Sequence, residues 1–356
     1  MLRPETEADL AEMVRAANGP LRVQGGGTRI AVPGADLTTA GLNGISLYEP
    51  GALTLVAGAG TPMADVQAAL DAEGQRMAFE PWDYRAVLGR DGVPTLGGCV
   101  SVNASGPRRM VAGAARDAAI GVRFVDGSGT AIKSGGRVMK NVTGLDLAKL
   151  VCGARGQLGI VTEVAVKLLP GVAATRTLVA QGHDAAEAVR VMSGALGTPY
   201  EVTGAAYSDG RTMLRLEGAE ASVDYRADVL VKALGGDWSV EKIDWADIRD
   251  ATQFAGSDAD LWRISVKPSD APGLVVSLPG RTMLDWGGGL VWAEADPGTD
   301  LRARMNCPGH ATLIRAAPET HAALGTAHPD PTPVARLSEG LRTQFDPRGL
   351  FQMEDT

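Results

Sequence analysis

Cysteine is scarce in this sequence. Among 356 residues there are three, Cys99, Cys152 and Cys307, and no two of them form a Cys-x-x-Cys pair. Three thiolates are too few for an iron–sulfur cluster or a structural zinc site held by four cysteines. The odd number also argues against a disulfide framework and predicts a reducing compartment. We therefore expect no iron–sulfur cluster built from this chain's own cysteines.

Long apolar runs and excess positive charge are also missing. No stretch of about 18 apolar residues occurs, so the sequence predicts no membrane-spanning helix. The formal net charge of −8 argues against nucleic acid as a partner, because phosphate binding requires a basic surface. Residues 1–13 carry acidic side chains where a signal peptide would be apolar. We expect a cytoplasmic protein, or one peripheral to the inner membrane through partner subunits.

Glycine, by contrast, is abundant, with 46 residues in a chain long enough for two domains. Gly25, Gly26 and Gly27 follow a short apolar run and precede Thr28. Residues without a Cβ atom let another group lie directly on the backbone, and successive amides in such a turn form an anion site. A tight bend without a ligand is the alternative interpretation. A second glycine pair, Gly97 and Gly98, leads into a run of small polar residues.

The ordered motifs of the chain resemble a known family. They are QGGGT at 24–28, TLGGCVSVNASGPRR at 95–109, GGRVMKNVTGLDLAKL at 135–150, GARGQLGIVTEVAVKLLP at 153–170 and FDPRGLFQ at 345–352. This set is similar to the vanillyl-alcohol-oxidase-type, or PCMH-type, FAD-binding family. Within the family it most resembles the small FAD-binding subunits of bacterial glycolate oxidases. The similarity is dense over residues 1–170, loose in the middle and clear over the last twenty residues.

The resemblance implies an α+β protein of two domains. A PCMH-type FAD-binding domain of two subdomains would span residues 1–171, and a ferredoxin-like α+β cap would span 172–333. A C-terminal segment, 334–356, would pack back on the FAD domain.

The residue pattern adds local predictions. Apolar spacing predicts helices over 7–17 and 334–345. It also predicts a helix that begins at Thr61 as N-cap, a hairpin over 202–216, and strands over 262–266 and 274–277. The proline-rich stretch 308–333 is predicted to be a linker or an irregular return path.

The same resemblance assigns the cofactor residues. The glycine loop would hold the FAD pyrophosphate, and the second glycine pair with 103–106 would line the ribityl chain and ring. Arg108 would neutralise phosphate or anionic flavin, with a solvated surface arginine as the alternative. Pro81 would help to wall the ring, unless its loop is only a rigid turn. The implied FAD-binding residues are Gln24, Gly25, Gly26, Gly27, Thr28, Pro81, Thr95, Leu96, Gly97, Gly98, Asn103, Ala104, Ser105, Gly106, Arg108, Gly159, Ile160 and Val161.

Histidines are absent from the expected FAD domain. All four lie at or beyond residue 183, so none is available there for a covalent bond to the flavin. Attachment through Cys99 or Cys152 is the alternative, but small cysteines are more often buried, and we expect noncovalent FAD. His321 and His328 have the spacing of a metal-binding segment found in related 2-hydroxyacid dehydrogenases. The residues between them lack that segment's other ligands, so we expect no metal.

Catalytic residues are the least defined. Arg263 is a candidate for binding a substrate carboxylate, and a strand-end surface arginine is the equal alternative. No residue in the sequence stands out as a general base.

The resemblance implies a function in glyoxylate metabolism. The chain would be the FAD subunit of a glycolate oxidase (glycolate dehydrogenase) complex. It would take part in oxidising glycolate to glyoxylate and in electron transfer, with a larger FAD-containing catalytic subunit and an iron–sulfur subunit as partners. Two alternatives stay open: a self-sufficient FAD-dependent 2-hydroxyacid dehydrogenase, and a structural subunit that only binds flavin. Because no base is identified, we expect the chain alone to bind FAD but to oxidise glycolate poorly.

Overall fold

A computed structural model describes residues 1–30, 32–136 and 145–351 of the chain. The middle of the third motif, 137–144, and the end of the last motif, Gln352, lie outside these ranges. The described residues form an α+β protein with two large sheets, one before and one after residue 171, and helices pack on both. Among these residues no helix has the length and apolar character needed to cross a bilayer.

The first half of the chain, called the FAD half, is built on one antiparallel sheet. Its helices are α1 (Glu7–Ala16), α2 (Met63–Ala72), α3 (Arg85–Leu88), α4 (Leu96–Ser101), α5 (Arg109–Ala112), α6 (Ala115–Ala118) and α7 (Leu147–Val151). Its strands are β1 (Val23–Gln24), β2 (Leu37–Thr38), β3 (Ile45–Glu49), β4 (Thr54–Gly58), β5 (Gln75–Met77), β6 (Ala119–Val125), β7 (Ala131–Gly135) and β8 (Ile160–Pro170). The sheet order is β3-β4-β8-β6-β7, β5 pairs with the end of β8, and β1 and β2 form a separate parallel pair.

The central strand β8 explains why this sheet is stable. It is an eleven-residue run of mostly apolar, β-branched residues, and Val164 and Val166 are fully buried. Such residues suit a strand that is covered on both faces. Helix α4 packs closely against Ala59, the residue after strand β4. A Cβ on Gly97 would lie only 2.6 Å from the Cβ of Ala59. This close approach sets the second glycine pair beside the glycine loop.

The second half, called the cap, contains an eight-stranded antiparallel sheet. Its strands are β9 (Ala174–Gln181), β10 (Val202–Ser208), β11 (Arg211–Gly218), β12 (Ser239–Glu241), β13 (Asp260–Val266), β14 (Thr282–Asp285), β15 (Leu290–Ala295) and β16 (Gly309–Arg315). Its helices are α8 (Ala185–Leu196), α9 (Glu220–Leu234), α10 (Trp245–Arg249), α11 (Ala271–Ser277) and α12 (Pro318–Leu324). The strand order is β12-β9-β11-β10-β14-β15-β13-β16.

This order contains the ferredoxin-like arrangement twice. The elements β9-α8-β10-β11-α9-β12 give the strand order 4-1-3-2, and β13-α11-β14-β15-β16 repeats it in reverse across the sheet. The two halves of the cap join where β10 meets β14, with Tyr207 opposite Leu284. In the second of the two ferredoxin-like arrangements, a short 3₁₀ turn at Arg302–Arg304 takes the place of the second helix.

Three local predictions are wrong, each because of where a proline or threonine lies. Residues 274–277 belong to helix α11, and residues 308–333 include β16 and α12. The prolines here lie at the starts of elements, as Pro318 does in α12, where a missing N–H costs nothing. Thr61 is not the N-cap of α2, because Pro62 holds that position and the Thr61 hydroxyl bonds to Gly44.

The C-terminal segment returns to the FAD half. Helix α13 (Thr332–Phe345) ends with Phe345 against Phe124, their ring centroids 6.0 Å apart. The Asp346 carboxylate then accepts hydrogen bonds from the amides of Leu350 and Phe351 at 2.9 and 2.7 Å. Both of those side chains are buried in the same cluster as α1.

A buried ion cluster joins the cap to the FAD half. Glu217 on β11 accepts hydrogen bonds from Arg76 at 2.7 Å and from Arg108 at 2.9 Å. Glu80 accepts a hydrogen bond from Arg215, also on β11, at 2.9 Å, and it pairs with Arg108 at 3.2 Å. Apart from Arg76, these side chains are at most 14% exposed. The cluster fixes the cap on the FAD half and so helps to form the space between them.

Candidate functional site

The glycine loop borders an open cleft of about 870 Å³, called the first cleft. Most residues assigned to FAD from the sequence line it. They are Gln24, Gly25, Gly26, Gly27, Thr28, Thr95, Gly97, Gly98, Gly159, Ile160 and Val161.

The amides of the glycine loop fit a phosphate group. Within the described ranges, the N–H groups of Gly25, Gly26, Gly27 and Thr28 donate no hydrogen bond. Consecutive free amides in a turn supply donors to phosphate oxygens without the bulk of side chains. Arg29 adds a cation whose buried Nε has no partner among the described residues. The cleft therefore offers what the pyrophosphate of FAD requires.

The shape of the loop depends on Gly26. A Cβ at this position would lie 1.7 Å from the carbonyl oxygen of Val93, far inside any allowed contact. Gly27 has φ +68°, the left-handed region that glycine adopts most readily. The glycines are thus needed first for the packing of the loop on residues 92–95, and through that packing for the position of its amides.

A second cleft, of about 1250 Å³, lies between the FAD half and the cap. It shares Arg29, Ile30, Val102 and Arg155 with the first cleft. A ligand in the first cleft therefore borders directly on the second.

The cap contributes one face of β13 and β16 to the second cleft. Arg263 lies opposite Thr312, and Ser265 lies opposite His310, in the antiparallel register of the two strands. Because side chains alternate along a strand, all four point to the same face, and all four line the cleft. Trp262, the residue before Arg263 on β13, points to the opposite face and is fully buried in the cap core.

Two arginines in this cleft lie against one tryptophan. The guanidinium carbons of Arg109 and Arg263 are 4.8 and 5.0 Å from the ring centre of Trp286. Arg109 donates a hydrogen bond to the Ser105 hydroxyl at 2.7 Å. Neither arginine has an acidic partner within the described part of the chain, and the buried Nε of Arg263 has no hydrogen-bond partner there. A carboxylate in the cleft would satisfy both guanidinium groups.

Tyr84 also lines the second cleft. It stacks on Trp82 at 3.9 Å between ring centroids and is 2% exposed. Burial raises the pKa of its hydroxyl, although the charge of Arg263 acts in the opposite direction. Tyr84 is therefore a neutral aromatic wall.

The cleft also contains two histidines, His310 from β16 and His321 from α12. Burial lowers the pKa of His310, and the charges of Arg263, His328 and Arg109 lower it further. Burial likewise lowers the pKa of His321. A neutral imidazole at a substrate cleft can accept a proton. The chain has no histidine before residue 183, and it is β16 and α12 that bring these two to the second cleft.

Several residues assigned to FAD line neither cleft. Arg108 is the clearest correction, because its charge is already paired with Glu217 and Glu80 in the buried ion cluster. The Gly106 carbonyl accepts a hydrogen bond from the Trp286 indole at 3.0 Å. Asn103 lines the second cleft instead of the first. The others that line neither cleft are Pro81, Leu96, Ala104 and Ser105.

The cysteines and the paired histidines have structural surroundings. Cys99 is fully buried, and burial raises the pKa of Cys152 to about 12. His328 accepts a hydrogen bond from the Ala311 amide at 3.3 Å, and His321 bonds to Thr326. Within the part of the chain that the structure describes, no three His, Cys, Asp or Glu side chains come together as a metal site.

The residues that sequence reasoning missed come mostly from the cap. Arg109, Trp286, His310 and His321 lie far apart in the chain, and no short motif connects them. One local signal was available. Arg29 directly follows the glycine loop, where a cation beside phosphate-binding amides is expected.

Comparison with known proteins gives a consistent result. A family model described as "FAD binding domain" matches residues 1–135. The glycolate oxidase subunit GlcE of Escherichia coli K12 is 35% identical over 339 residues, covering 93% of this chain and 91% of that protein. The glycolate oxidase subunit GlcD of Bacillus subtilis is 31% identical over 169 residues, or 48% of this chain and 33% of GlcD.

A solved structure shows the same fold. An alkyldihydroxyacetonephosphate synthase superposes with a TM-score of 0.69 over 98% of this chain and 76% of the synthase, at 13% identity. That likeness extends over both halves and concerns the fold alone. The sequence similarity to GlcE extends over nearly the whole length of both proteins, and the first cleft fits FAD. The chain belongs to the family of GlcE-like FAD-binding subunits of glycolate oxidase.

Proposed function

We propose that this chain is the FAD subunit of a multi-subunit glycolate oxidase and that its second cleft binds the 2-hydroxy acid. The observation that supports this most is the continuity of the two clefts. Arg263 and Arg109 lie in a cleft that shares four lining residues with the cofactor cleft. A substrate carboxylate on those arginines would lie in the cleft that adjoins the cofactor cleft.

The residues have distinct roles in this proposal. Oxidising a 2-hydroxy acid to a 2-oxo acid removes a hydride from C2 and a proton from the hydroxyl group. FAD, when bound, supplies the hydride acceptor. His310, whose pKa is lowered by burial and by neighbouring cations, accepts the hydroxyl proton. Arg263 and Arg109 hold the carboxylate, and the buried rings of Trp82 and Tyr84 exclude water.

The partners follow from the electron balance. The hydride that leaves C2 carries two electrons, which bound FAD would accept and a second acceptor would have to take up. The chain has three cysteines, too few for a cluster held by four. An iron–sulfur subunit as acceptor, alongside a larger flavoprotein subunit, completes the proposed complex.

FAD binding is proposed to be noncovalent. Cys99 and Cys152 line neither cleft, and burial raises the pKa of both thiols, so they are poor nucleophiles. The test is acid precipitation of the purified protein followed by absorbance of pellet and supernatant. We expect flavin in the supernatant, and a yellow pellet would contradict noncovalent binding.

Glycolate-dependent reduction of this chain's own flavin tests the main proposal. The FAD-loaded chain is mixed with glycolate without oxygen, and loss of flavin absorbance is followed. The co-expressed complex is then assayed with a dye, using Arg263→Met in this chain and Arg190→Gln, an exposed arginine on α8, as control. We expect glycolate to reduce the flavin of the FAD-loaded chain. In the complex, Arg263→Met should lose most of the activity, whereas Arg190→Gln should keep it. An unreduced flavin and an unaffected complex would indicate a structural subunit.

A self-sufficient 2-hydroxyacid dehydrogenase is the second candidate. It is favoured by the presence of Arg263 and His310 in this chain's own cleft. Sustained dye reduction by the isolated chain, at the rate of the complex, would support this candidate over the first.

A further inference from the structure

The second cleft carries more positive charge than one carboxylate requires. Its lining includes Arg29, Arg90, Arg109, Arg155 and Arg263 and, among the described residues, no aspartate or glutamate. Arg29 and Arg155 also line the first cleft, so they face the cofactor as well. The other three guanidinium groups remain for the substrate.

Two of these three form one group. Arg109 and Arg263 lie on the same Trp286 ring, and the charges of both act on His310 near the start of β16. Since one carboxylate has two oxygens, it can pair with both guanidinium groups at once. This group therefore accounts for the carboxylate of any 2-hydroxy acid.

Arg90 forms a separate group near the other end of β16. It follows helix α3, where the Val87 carbonyl accepts a hydrogen bond at 2.9 Å from Arg315, the last residue of β16. Its charge acts on His321 of α12, whereas the charges that act on His310 come from Arg263, His328 and Arg109. The Nη1 atom of Arg90 is buried and has no hydrogen-bond partner among the described residues, and Arg90 forms no ion pair there.

Burying a guanidinium N–H donor without a hydrogen-bond partner is unfavourable. A site that keeps such a donor, as at Nη1 of Arg90, gains from a ligand that accepts its hydrogen bond. Glycolate has a single carboxylate, which the pair Arg109 and Arg263 already uses. A ligand with a second anionic group would satisfy Arg90 as well.

We propose that the second cleft binds a 2-hydroxy acid with a second anionic group, a 2-hydroxy dicarboxylate, through Arg109 and Arg263 at one carboxylate and Arg90 at the other. The inference rests on the proposed function, because it takes the second cleft to be the substrate site. It goes beyond that function in naming Arg90 as the residue that selects for substrate charge.

Calorimetric binding to the FAD-loaded chain tests this without requiring turnover. The ligands are glycolate, malate, 2-hydroxyglutarate and 3-phosphoglycerate. We expect at least one of the two dicarboxylates to bind about tenfold more tightly than glycolate, the gain of one hydrogen bond to a charged group. Arg90→Gln should weaken the binding of the preferred dicarboxylate about tenfold relative to glycolate, whereas the exposed control Arg190→Gln should keep the preference.

Three results would overturn the inference. One is equal affinity for glycolate and both dicarboxylates, and another is equal weakening of all ligands by Arg90→Gln. The third is tight binding of 3-phosphoglycerate alone, which would assign Arg90 to a phosphate. Failure of the proposed function would look different. In that case no hydroxy acid would reduce the flavin, but the tighter binding of the dicarboxylate would still be measured.

Discussion

The two clefts are lined by different kinds of hydrogen-bond donor. The first presents backbone amides and small residues, with Gly26 and Gly97 packed so closely that a Cβ would collide with neighbouring atoms. The second presents long charged side chains, with Arg109 and Arg263 held on an indole ring. Backbone donors cannot be exchanged without changing the fold, whereas side-chain donors can be replaced one at a time. Cofactor binding in the first cleft thus depends on the backbone fold, whereas the binding of the substrate that we propose for the second cleft would depend on individual side chains.

The largest expected effect is on the first cleft. Gly26→Val should abolish FAD binding, because its Cβ would lie 1.7 Å from the Val93 carbonyl oxygen and displace the loop. Flavin content per protein after purification measures the loss. Gly194→Ala, in helix α8 with open space around it, is the matched control and should keep full flavin. Full occupancy in Gly26→Val would mean that the loop does not hold the cofactor.

The next effect separates the clefts by loosening the cap. Burial alone would raise the pKa of Glu217, but the hydrogen bond from Arg108 and the charges of Arg215, Arg108 and Arg76 outweigh it and lower the pKa to about 2. Glu217→Gln removes the negative charge that pairs with these arginines. Breaking a buried ion pair in this way lowers the free energy of unfolding by about 3–5 kcal/mol.

The measurements are the free energy of unfolding in urea and the binding of glycolate. We expect lower stability and weaker glycolate binding, with flavin still bound, since the first cleft lies within the FAD half. Loss of flavin with glycolate binding retained would reverse the assignment of the two clefts.

A smaller effect is expected on the second cleft alone. Arg263→Met removes one carboxylate partner and should lower kcat/KM for glycolate by about a hundredfold, within the range for truncating a buried charged pair. Flavin content should stay as in the unmodified chain. Steady-state kinetics of the complex and a flavin count check this. A fall in flavin content would assign Arg263 to the cofactor instead.

The last effect, the smallest per pH unit, is a pH dependence at Asp285, beside Trp286 of the second cleft. Burial, above all, raises the pKa of Asp285 to about 7, and the charge of Glu80 adds to this. The folded state then holds a proton that the unfolded state has lost between about pH 4 and 7, so stability should fall as pH rises through that window, by on the order of 1 kcal/mol per pH unit. Asp285→Asn should flatten the slope. Unfolding curves at several pH values measure it, and an unchanged slope would contradict the buried proton.

The sequence predicted the parts that depend on local backbone. The glycine loop, the pair Gly97 and Gly98, and the strand that begins at Ile160 all line the first cleft, because tight turns and close packing leave a signature in adjacent residues. The hairpin over 202–216 formed as β10 and β11 for the same reason.

The second cleft could not be predicted in this way. Arg263 was identified as a candidate, but its neighbours Arg109 and His310 come from other elements, and only the register of β13 and β16 brings His310 close. Arg108 was misassigned because its acidic partner Glu217 lies 109 residues away. Long-range pairing of charges has no local signature.

The repeated strand order of the cap has a consequence for how the molecule can diversify. The charged attachment to the FAD half rests on β11 in the first copy, through Arg215 and Glu217. The proposed substrate contacts lie on β13 and β16 in the second copy, through Arg263 and His310. One ferredoxin-like arrangement can thus keep the cap attached to the FAD half, while residues of the other change to accept a new substrate.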